Sequence, residues 1–394
     1  MTLRTFAKID EKTLTISQWR ELQQTVSEPT HILSLLERAQ PNTSNAWISL
    51  ATSEQITTQW EKITLLRSQG RNLPLFGVPF AAKDNIDAEG FCTTAACPSF
   101  STGPVAMDST VIQRLKAQGA ILIGKTNLDQ FATGLVGTRS PYGAVANSFD
   151  PSRVSGGSSS GSSVVVAQGL VPFSLGTDTA GSGRWFGRTK QAEAYQTALA
   201  KAQQLGWNLD PVDFTPLFSL ASLLYEGPWV AERYAAIEKF IRSVPAESMD
   251  PVVRGIIMKA EQFSAADLFA CEYRRQNLSR EIEQIFGQYD ALLVPTSPTF
   301  PTMQDLKDEP VAANSQLGTY TNFVNFMDWS ALAIPAGWRE DGLPFGITLI
   351  GGAWEEPRLM ELARRWMWES PRLLGATGVE YQERLSEPTS LASL

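Results

Sequence analysis

Apolar residues recur in the N-terminal part of the chain at the spacing of an amphipathic helix. Between residues 16 and 70 they stand about one helical turn apart, as at Leu22 and Val26, so that they share one face. Residues 73–83 follow as a nearly continuous apolar run that ends in a lysine, a pattern typical of a buried strand leading into a turn. We therefore expect a helical region over residues 1–70, followed by a core that contains strands.

The middle of the chain alternates between strand-like and helix-like patterns. Residues 110–119 show helical spacing and end at a glycine, a common helix stop, and residues 120–124 are an apolar run of the kind that parallel sheets bury. Strand, helix and strand in this order favour an α/β architecture. No repeat or low-complexity linker divides the sequence, which favours one domain over residues 1–394. Later apolar runs predict three more strands and a closing helix: 289–295, 331–335, 345–351 and 359–368.

A glycine- and serine-rich segment, residues 155–163, has several possible interpretations. It resembles a flexible linker, but apolar runs follow it directly. A phosphate-binding loop would end in Gly-Lys-Ser or Gly-Lys-Thr, which this segment lacks. Gly157–Gly161 also fits the Gly-x-Ser-x-Gly turn of α/β-hydrolases, with Ser159 as nucleophile. That fold needs a histidine after the serine, and the single histidine, His31, lies far upstream, so this interpretation fails.

Composition and charge limit the possible partners. The net charge of −8 argues against nucleic acid and anionic membranes, because both attract a basic surface. The three cysteines, Cys92, Cys97 and Cys271, are too few for a disulfide framework and lack companions for a zinc site, so no metal is expected. No apolar stretch is long enough to span a bilayer, and the N-terminus lacks the apolar core of a signal peptide. We expect a cytoplasmic protein, with small-molecule substrates left open.

Without an available histidine, a serine nucleophile needs another base. Serine is a weak nucleophile at its normal pKa, and a lysine kept neutral by burial can activate it. Lys83 ends an apolar run and suits this role, with a second serine to relay the proton. The neighbouring Asp84 favours a different interpretation, in which Lys83 is ion-paired or exposed. The residues by themselves leave both interpretations open.

Two long motifs together resemble those of the amidase-signature family. One runs from Gly156 through the glycine- and serine-rich segment to Arg184, and the other, Gly77–Asn85, resembles the segment that carries the family's catalytic lysine. The resemblance implies a three-layer α/β/α fold with a central mixed β-sheet flanked by helices. It also divides the single amidase domain into the helical region (1–70), a signature core (71–184) and the remainder of the core with substrate-binding helices (185–394).

The same resemblance implies roles for individual residues. Ser182 matches the nucleophile, Ser158 matches a bridging serine held on a cis peptide bond, and Lys83 matches the base. No metal or organic cofactor is implied. Asp178 and Arg184 fall in the same signature, where we expect a supporting ion pair or hydrogen-bond network. The implied oxyanion hole consists of the backbone N–H groups of Thr179, Ala180 and Gly181.

Segments in the second half of the chain resemble the allophanate hydrolases within this family. In that subfamily a tyrosine and an arginine bind the substrate, and they match Tyr225 and Arg233. A guanidinium group can hold the carboxylate of allophanate through two parallel hydrogen bonds. The two residues are eight positions apart, about two helical turns, so we expect one helix face to present both. The similar segments are 223–233, 317–328 and 342–350.

The resemblance further implies a reaction and partners. Allophanate is hydrolysed through an acyl-enzyme, with release of ammonia and carbon dioxide, as the second step of urea degradation. Urea carboxylase is the implied metabolic or fused partner, and a homodimer is the family expectation. Two alternatives remain: a glutaminase-like component of an amidotransferase, and a non-catalytic component retained for binding or assembly.

The sequence departs from the family pattern at one point. After Arg184, family members usually continue through several dozen residues near the nucleophile, whereas this chain passes directly to Trp185. The segment is either omitted from the numbering or deleted, and its deletion would put activity in doubt. The C-terminal accessory domain common in allophanate hydrolases is not expected within these 394 residues.

Overall fold

The N-terminal part of the chain consists of helices interrupted by a short strand. The computed structural model describes residues 13–177, 189–368, 370 and 373–380. Two of the N-terminal helices begin at a Thr-x-x-Gln capping box, in which threonine hydroxyl and glutamine side chain each accept a backbone N–H of the other residue. The strand follows Asn45, whose φ of 55° turns the chain. These elements are α1 (Ile16–Gln24), α2 (Thr30–Ala39), β1 (Trp47–Leu50) and α3 (Ser53–Ser68).

Two buried parallel strands form the centre of the first sheet. The elements of this part are β2 (Pro79–Lys83), α4 (Thr110–Ala117), β3 (Ile121–Thr126), α5 (Ser160–Ala167) and β4 (Ser174–Leu175). β2 and β3 are parallel and every residue in them is buried, as their apolar runs predict. β1 joins β3 in antiparallel orientation and β4 joins β2 in parallel, which gives a mixed sheet of order β1-β3-β2-β4.

Helices dominate the C-terminal half. They are α6 (Thr189–Gln204), α7 (Thr215–Glu226), α8 (Val230–Ser243), α9 (Pro251–Met258), α10 (Ala265–Phe286), α11 (Met303–Asp308), α12 (Ala312–Ser315), α13 (Val324–Met327) and α14 (Glu356–Trp368). Three strands are interspersed among them, each where the sequence predicts one: β5 (Leu292–Pro295), β6 (Ser330–Trp338) and β7 (Pro344–Gly351). None of the described helices is both long enough and apolar enough to cross a membrane.

The α/β class predicted from the sequence is confirmed, and the described strands form two sheets. The second sheet has the order β5-β7-β6, and both of its pairings are antiparallel. The division follows from the sheet edges: among described strands, β4 has only two residues and pairs only with β2, and β5 and β6 each pair only with β7. Separate clusters of buried apolar side chains cover the two sheets.

Candidate active site

The side chain of Lys83 lies at the centre of the candidate active site. Lys83 is the last residue of β2, which runs between β3 and β4, so the sheet itself carries the amine into the interior. The residue is fully buried. Its Nζ lies 2.7 Å from Ser158 Oγ, 2.9 Å from Ser159 Oγ and 2.6 Å from Thr177 Oγ1. A buried amine among three hydroxyl groups is an arrangement suited to proton transfer.

Ser158 reaches Lys83 through a tight turn that precedes α5. The Gly157–Ser158 peptide bond is cis, and Ser158 is only 4% exposed. Glycine is required before it, because a Cβ at position 157 would lie 2.3 Å from Oδ2 of Asp129. The structure thus brings together Lys83 and Ser158, two of the three catalytic residues that the resemblance implies.

Ser159 and Thr177 complete the surroundings of the amine and were not predicted from the sequence. Ser159 Oγ donates to the backbone carbonyl of Thr177 at 3.0 Å and accepts the N–H of Thr177 at 3.1 Å. Thr177 Oγ1 also accepts a hydrogen bond from Asn85 at 3.3 Å. Ser159 therefore fastens the chain beyond β4 to the serine turn. A signal was present in the sequence, since both residues lie inside the longer of the two motifs.

A second buried lysine engages the carboxylate next to Lys83. Asp84 Oδ1 lies 3.3 Å from Nζ of Lys125, and both side chains are fully buried. Thr94 donates its backbone N–H, at 2.9 Å, and its hydroxyl to the other carboxylate oxygen. Burial raises the pKa of Asp84 and lowers the pKa of Lys125, while the attraction between the two charges opposes both shifts. Asp84 is thus held by Lys125 and Thr94.

The predicted nucleophile and oxyanion hole lie outside the described residues. Thr177 is the last described residue before residue 189. Thr177 itself contacts the Lys83 amine, and in the sequence it lies shortly before the predicted nucleophile. The roles of the following residues therefore stay predictions: Asp178, Thr179, Ala180, Gly181, Ser182 and Arg184.

Arg233 lines a cavity of about 390 Å³ between the loop 132–135 and the helices that follow β4. Arg139 and Lys259 line the same cavity, and its described lining residues include no aspartate or glutamate. Polar side chains, among them Asn314, complete the walls. An excess of positive charge in a concave site favours a small anionic ligand.

Tyr225 and Arg233 lie on consecutive helices, so the prediction that one helix face presents both is wrong. α7 ends one residue after Tyr225, and α8 carries Arg233. Gly227 leaves the helical conformation with φ −101° and ψ −179°, and Pro228 has no N–H with which to continue a helix. The side chain of Tyr225 is outside the described part of the structure, so its contact with substrate stays a prediction.

The amidase family model matches residues 31–185 and 187–360, which is most of the chain. The chain belongs to the amidase family. Membership confirms the family predicted from the two motifs. It also accounts for the mixed α/β architecture around Lys83.

This amidase-family chain is similar to urea amidolyases, to an allophanate hydrolase and to a subunit of an amidotransferase. Urea amidolyase of Saccharomyces cerevisiae is 43% identical over 408 residues, which cover 82% of this chain and 22% of the relative. The structure resembles that of allophanate hydrolase from Kluyveromyces lactis, with a TM-score of 0.88 and 36% identity over 98% of this chain and 78% of that one. A glutamyl-tRNA(Gln) amidotransferase component of Chloroflexus aurantiacus is 29% identical over 428 residues, 78% of this chain and 87% of the relative. The chain thus spans 22% and 23% of the two curated urea amidolyases that it matches.

The comparisons show that a relative carries residues without a counterpart in this chain. The family match is interrupted at residue 186. The alignment with the yeast urea amidolyase is 408 residues long although this chain has 394 and only 82% of them take part, so the relative has residues without a counterpart here.

Proposed function

We propose that this amidase-family chain hydrolyses allophanate, with Ser182 as nucleophile, Ser158 as proton relay and Lys83 as base. The observation that carries the proposal is the 2.7 Å contact between Nζ of Lys83 and Oγ of Ser158 in the buried interior of the first sheet. The similarity to urea amidolyase and to allophanate hydrolase supports the choice of substrate.

The contact between the amine and the serine provides a path for the proton. At 2.7 Å a neutral amine can accept the Ser158 proton, just as an ammonium can donate one. Ser158 in turn takes the proton of Ser182 as that hydroxyl attacks the amide carbonyl. The proton then returns along the same path to the leaving ammonia. The developing negative charge on the carbonyl oxygen is stabilised by the backbone N–H groups proposed as the oxyanion hole: Thr179, Ala180 and Gly181.

The cavity beside Arg233 supplies the charge that a carboxylate-bearing amide needs. The guanidinium group can bind the carboxylate of allophanate through two parallel hydrogen bonds, which fixes the opposite end of this short molecule. Arg139 and Lys259 add positive charge to the same walls. Tyr225, near the end of α7, is the proposed second substrate contact.

The proposed reaction proceeds through an acyl-enzyme. Attack of Ser182 on the terminal amide expels ammonia, and water then hydrolyses the ester to release an N-carboxylated carbamate, which decomposes to carbon dioxide and ammonia. A urea carboxylase is the proposed partner that supplies allophanate, an assignment supported by the similarity to urea amidolyase. The homodimer and the cytoplasmic location stay predictions.

Ammonia release from allophanate by the purified chain tests the proposal. We expect release by the wild type and none above background by Ser182→Ala. Ser68→Ala is the matched control, because its hydroxyl is exposed and donates to Leu65 O within the same helix, α3. Turnover of glutamine without turnover of allophanate would refute the substrate and favour the glutaminase-like alternative.

A non-catalytic binding component is the second candidate, and the interruption of the family match at residue 186 favours it. In the family, the segment expected after Arg184 lies near the nucleophile, so its deletion would bear on catalysis directly. A fluorophosphonate probe separates the two candidates. Labelling that disappears in Ser182→Ala supports an enzyme, whereas a wild type that resists labelling supports the binding role.

A further inference from the structure

A buried carboxylate, that of Asp129, organises the loop that follows it. The side chain is fully buried. It accepts the backbone N–H groups of four successive residues, 136–139: Oδ2 accepts the first two at 3.0 Å each, and Oδ1 accepts the last two at 3.1 and 3.0 Å. Consecutive N–H groups that converge on one point form a site for negative charge. The shape of this loop therefore depends on the carboxylate.

Asp129 also holds the catalytic serine turn. Its backbone N–H donates to the carbonyl of Ser158 at 3.1 Å. Gly157 packs so closely that a Cβ there would lie 2.3 Å from Asp129 Oδ2. A displacement of Asp129 is therefore transmitted to Ser158, whose Oγ meets the Lys83 amine at 2.7 Å.

The loop organised by Asp129 is a wall of the Arg233 cavity. Residues 132–135 and Arg139 all line that cavity. Gly134 packs directly on the carboxylate, since a Cβ there would lie 2.7 Å from Asp129 Cγ. One side chain thus lies between the cavity wall and the serine turn and contacts both.

We propose that Asp129 is a positioning residue that holds the Ser158–Lys83 pair in a fixed place relative to the substrate cavity. The inference rests on the proposed function, in which chemistry at Ser158 acts on a molecule bound beside Arg233. A carboxylate is required, because each of its oxygens accepts two N–H groups. Asparagine offers one acceptor oxygen and turns an NH₂ group toward two N–H donors.

The test compares Asp129→Asn with Asn314→Ala in the full chain. Asn314 Oδ1 accepts the N–H of Leu135 at 2.7 Å, so it supports the same loop from the other side without contacting the serine turn. We expect Asp129→Asn to lower kcat for allophanate by about tenfold to a hundredfold. Fluorophosphonate labelling of Ser182 should slow by a similar factor, because labelling also uses the relay. Asn314→Ala should raise KM and slow labelling far less.

A second variant and a stability control make the test decisive. Gly134→Ala presses on the carboxylate while keeping its charge, and it should slow labelling even if Asp129→Asn does not fold. Ile282→Val, in the core beside the second sheet, should lower the melting temperature without changing the labelling rate. Labelling of both Asp129→Asn and Gly134→Ala at the rate of Ile282→Val would overturn the inference.

The outcomes also distinguish this inference from the proposed function. A wild type that is labelled but releases no ammonia from allophanate would refute the proposed substrate alone, and the labelling rates would still decide the role of Asp129. A wild type that is not labelled would refute both. Normal turnover with unaltered labelling of the two variants would refute only the positioning role.

Discussion

Replacing Lys83 by methionine removes the proposed base with little change in shape. Lysine and methionine are both unbranched, so the interior of the first sheet stays filled. Lys83→Ala would instead leave a hole at a fully buried position. Truncations of large buried side chains to alanine cost about 2–5 kcal/mol, which would confuse loss of chemistry with loss of folding.

The contacts of the amine set the expected magnitudes. In Lys83→Met the hydroxyls of Ser158, Ser159 and Thr177 lose a partner that lay at 2.6–2.9 Å. An unsatisfied buried polar group costs about 1–3 kcal/mol. Ser159 keeps its bonds to the Thr177 backbone, so we expect a loss of stability at the lower end of that range. Removal of a general base lowers kcat by about 10²–10⁴-fold, or about 3–5 kcal/mol in the activation free energy.

Two measurements on the same preparation separate these effects. Urea unfolding gives the stability, and ammonia release from allophanate gives kcat and KM. We expect a large fall in kcat beside a small fall in the unfolding midpoint. A Lys83→Met variant that keeps more than about a tenth of wild-type kcat would refute Lys83 as the base, because that loss is smaller than general-base catalysis supplies.

Three further predictions concern the packing, the buried ion pair and the pH dependence of stability. Gly157→Ala places a Cβ 2.3 Å from a buried carboxylate oxygen. We therefore expect the free energy of unfolding in urea to fall by about 1–3 kcal/mol. An unchanged unfolding midpoint would contradict this close packing. Lys125→Met leaves Asp84 buried without its cation; breaking such a pair costs about 3–5 kcal/mol, whereas wild-type stability would show that the pair contributes little. The side-chain hydrogen bond from Arg275 lowers the pKa of Glu272 from 4.5 to about 2, so its stabilising effect is complete above its ordinary pKa and is lost as the pH falls through about 2. The pair is partly exposed and screened, and we expect a small stability difference between wild type and Glu272→Gln that vanishes on acidification.

The sequence predicts those parts of the fold that leave a local pattern. β2, β3, β5 and β7 coincide with apolar runs, because buried strands need apolar side chains on both faces. β1 was missed because its four residues show no period of their own and are set by antiparallel pairing with β3. The pairing of the described strands into two sheets likewise leaves no local pattern, since strand pairing is decided by contacts distant in sequence.

In the candidate site, too, single residues are predictable from the sequence only where they leave a local pattern. Lys83 and Ser158 were identified because the two motifs that contain them resemble those of the amidase-signature family. The break between α7 and α8 had a visible signal in the sequence, Gly227–Pro228. The prediction that one helix face presents both substrate residues relied on their eight-residue spacing and overlooked this signal. The role of Asp129 leaves no such pattern, because its partners are backbone N–H groups that nearly every residue possesses.

At the junction between Arg184 and Trp185 the sequence departs from the family pattern. The family match is interrupted at residue 186, between the described end of the first sheet at β4 and the first helix of the second half. Among described strands β4 pairs only with β2 over two residues, and a strand so short at an edge is weakly held. We therefore expect that inserting the extra segment of the yeast urea amidolyase at this junction raises the melting temperature and the rate of ammonia release. A glycine/serine insert of equal length is the control, and it should raise neither. Equal activity with and without the yeast segment would mean that the Lys83 site is complete in this chain and that the two sheets support it without the missing residues.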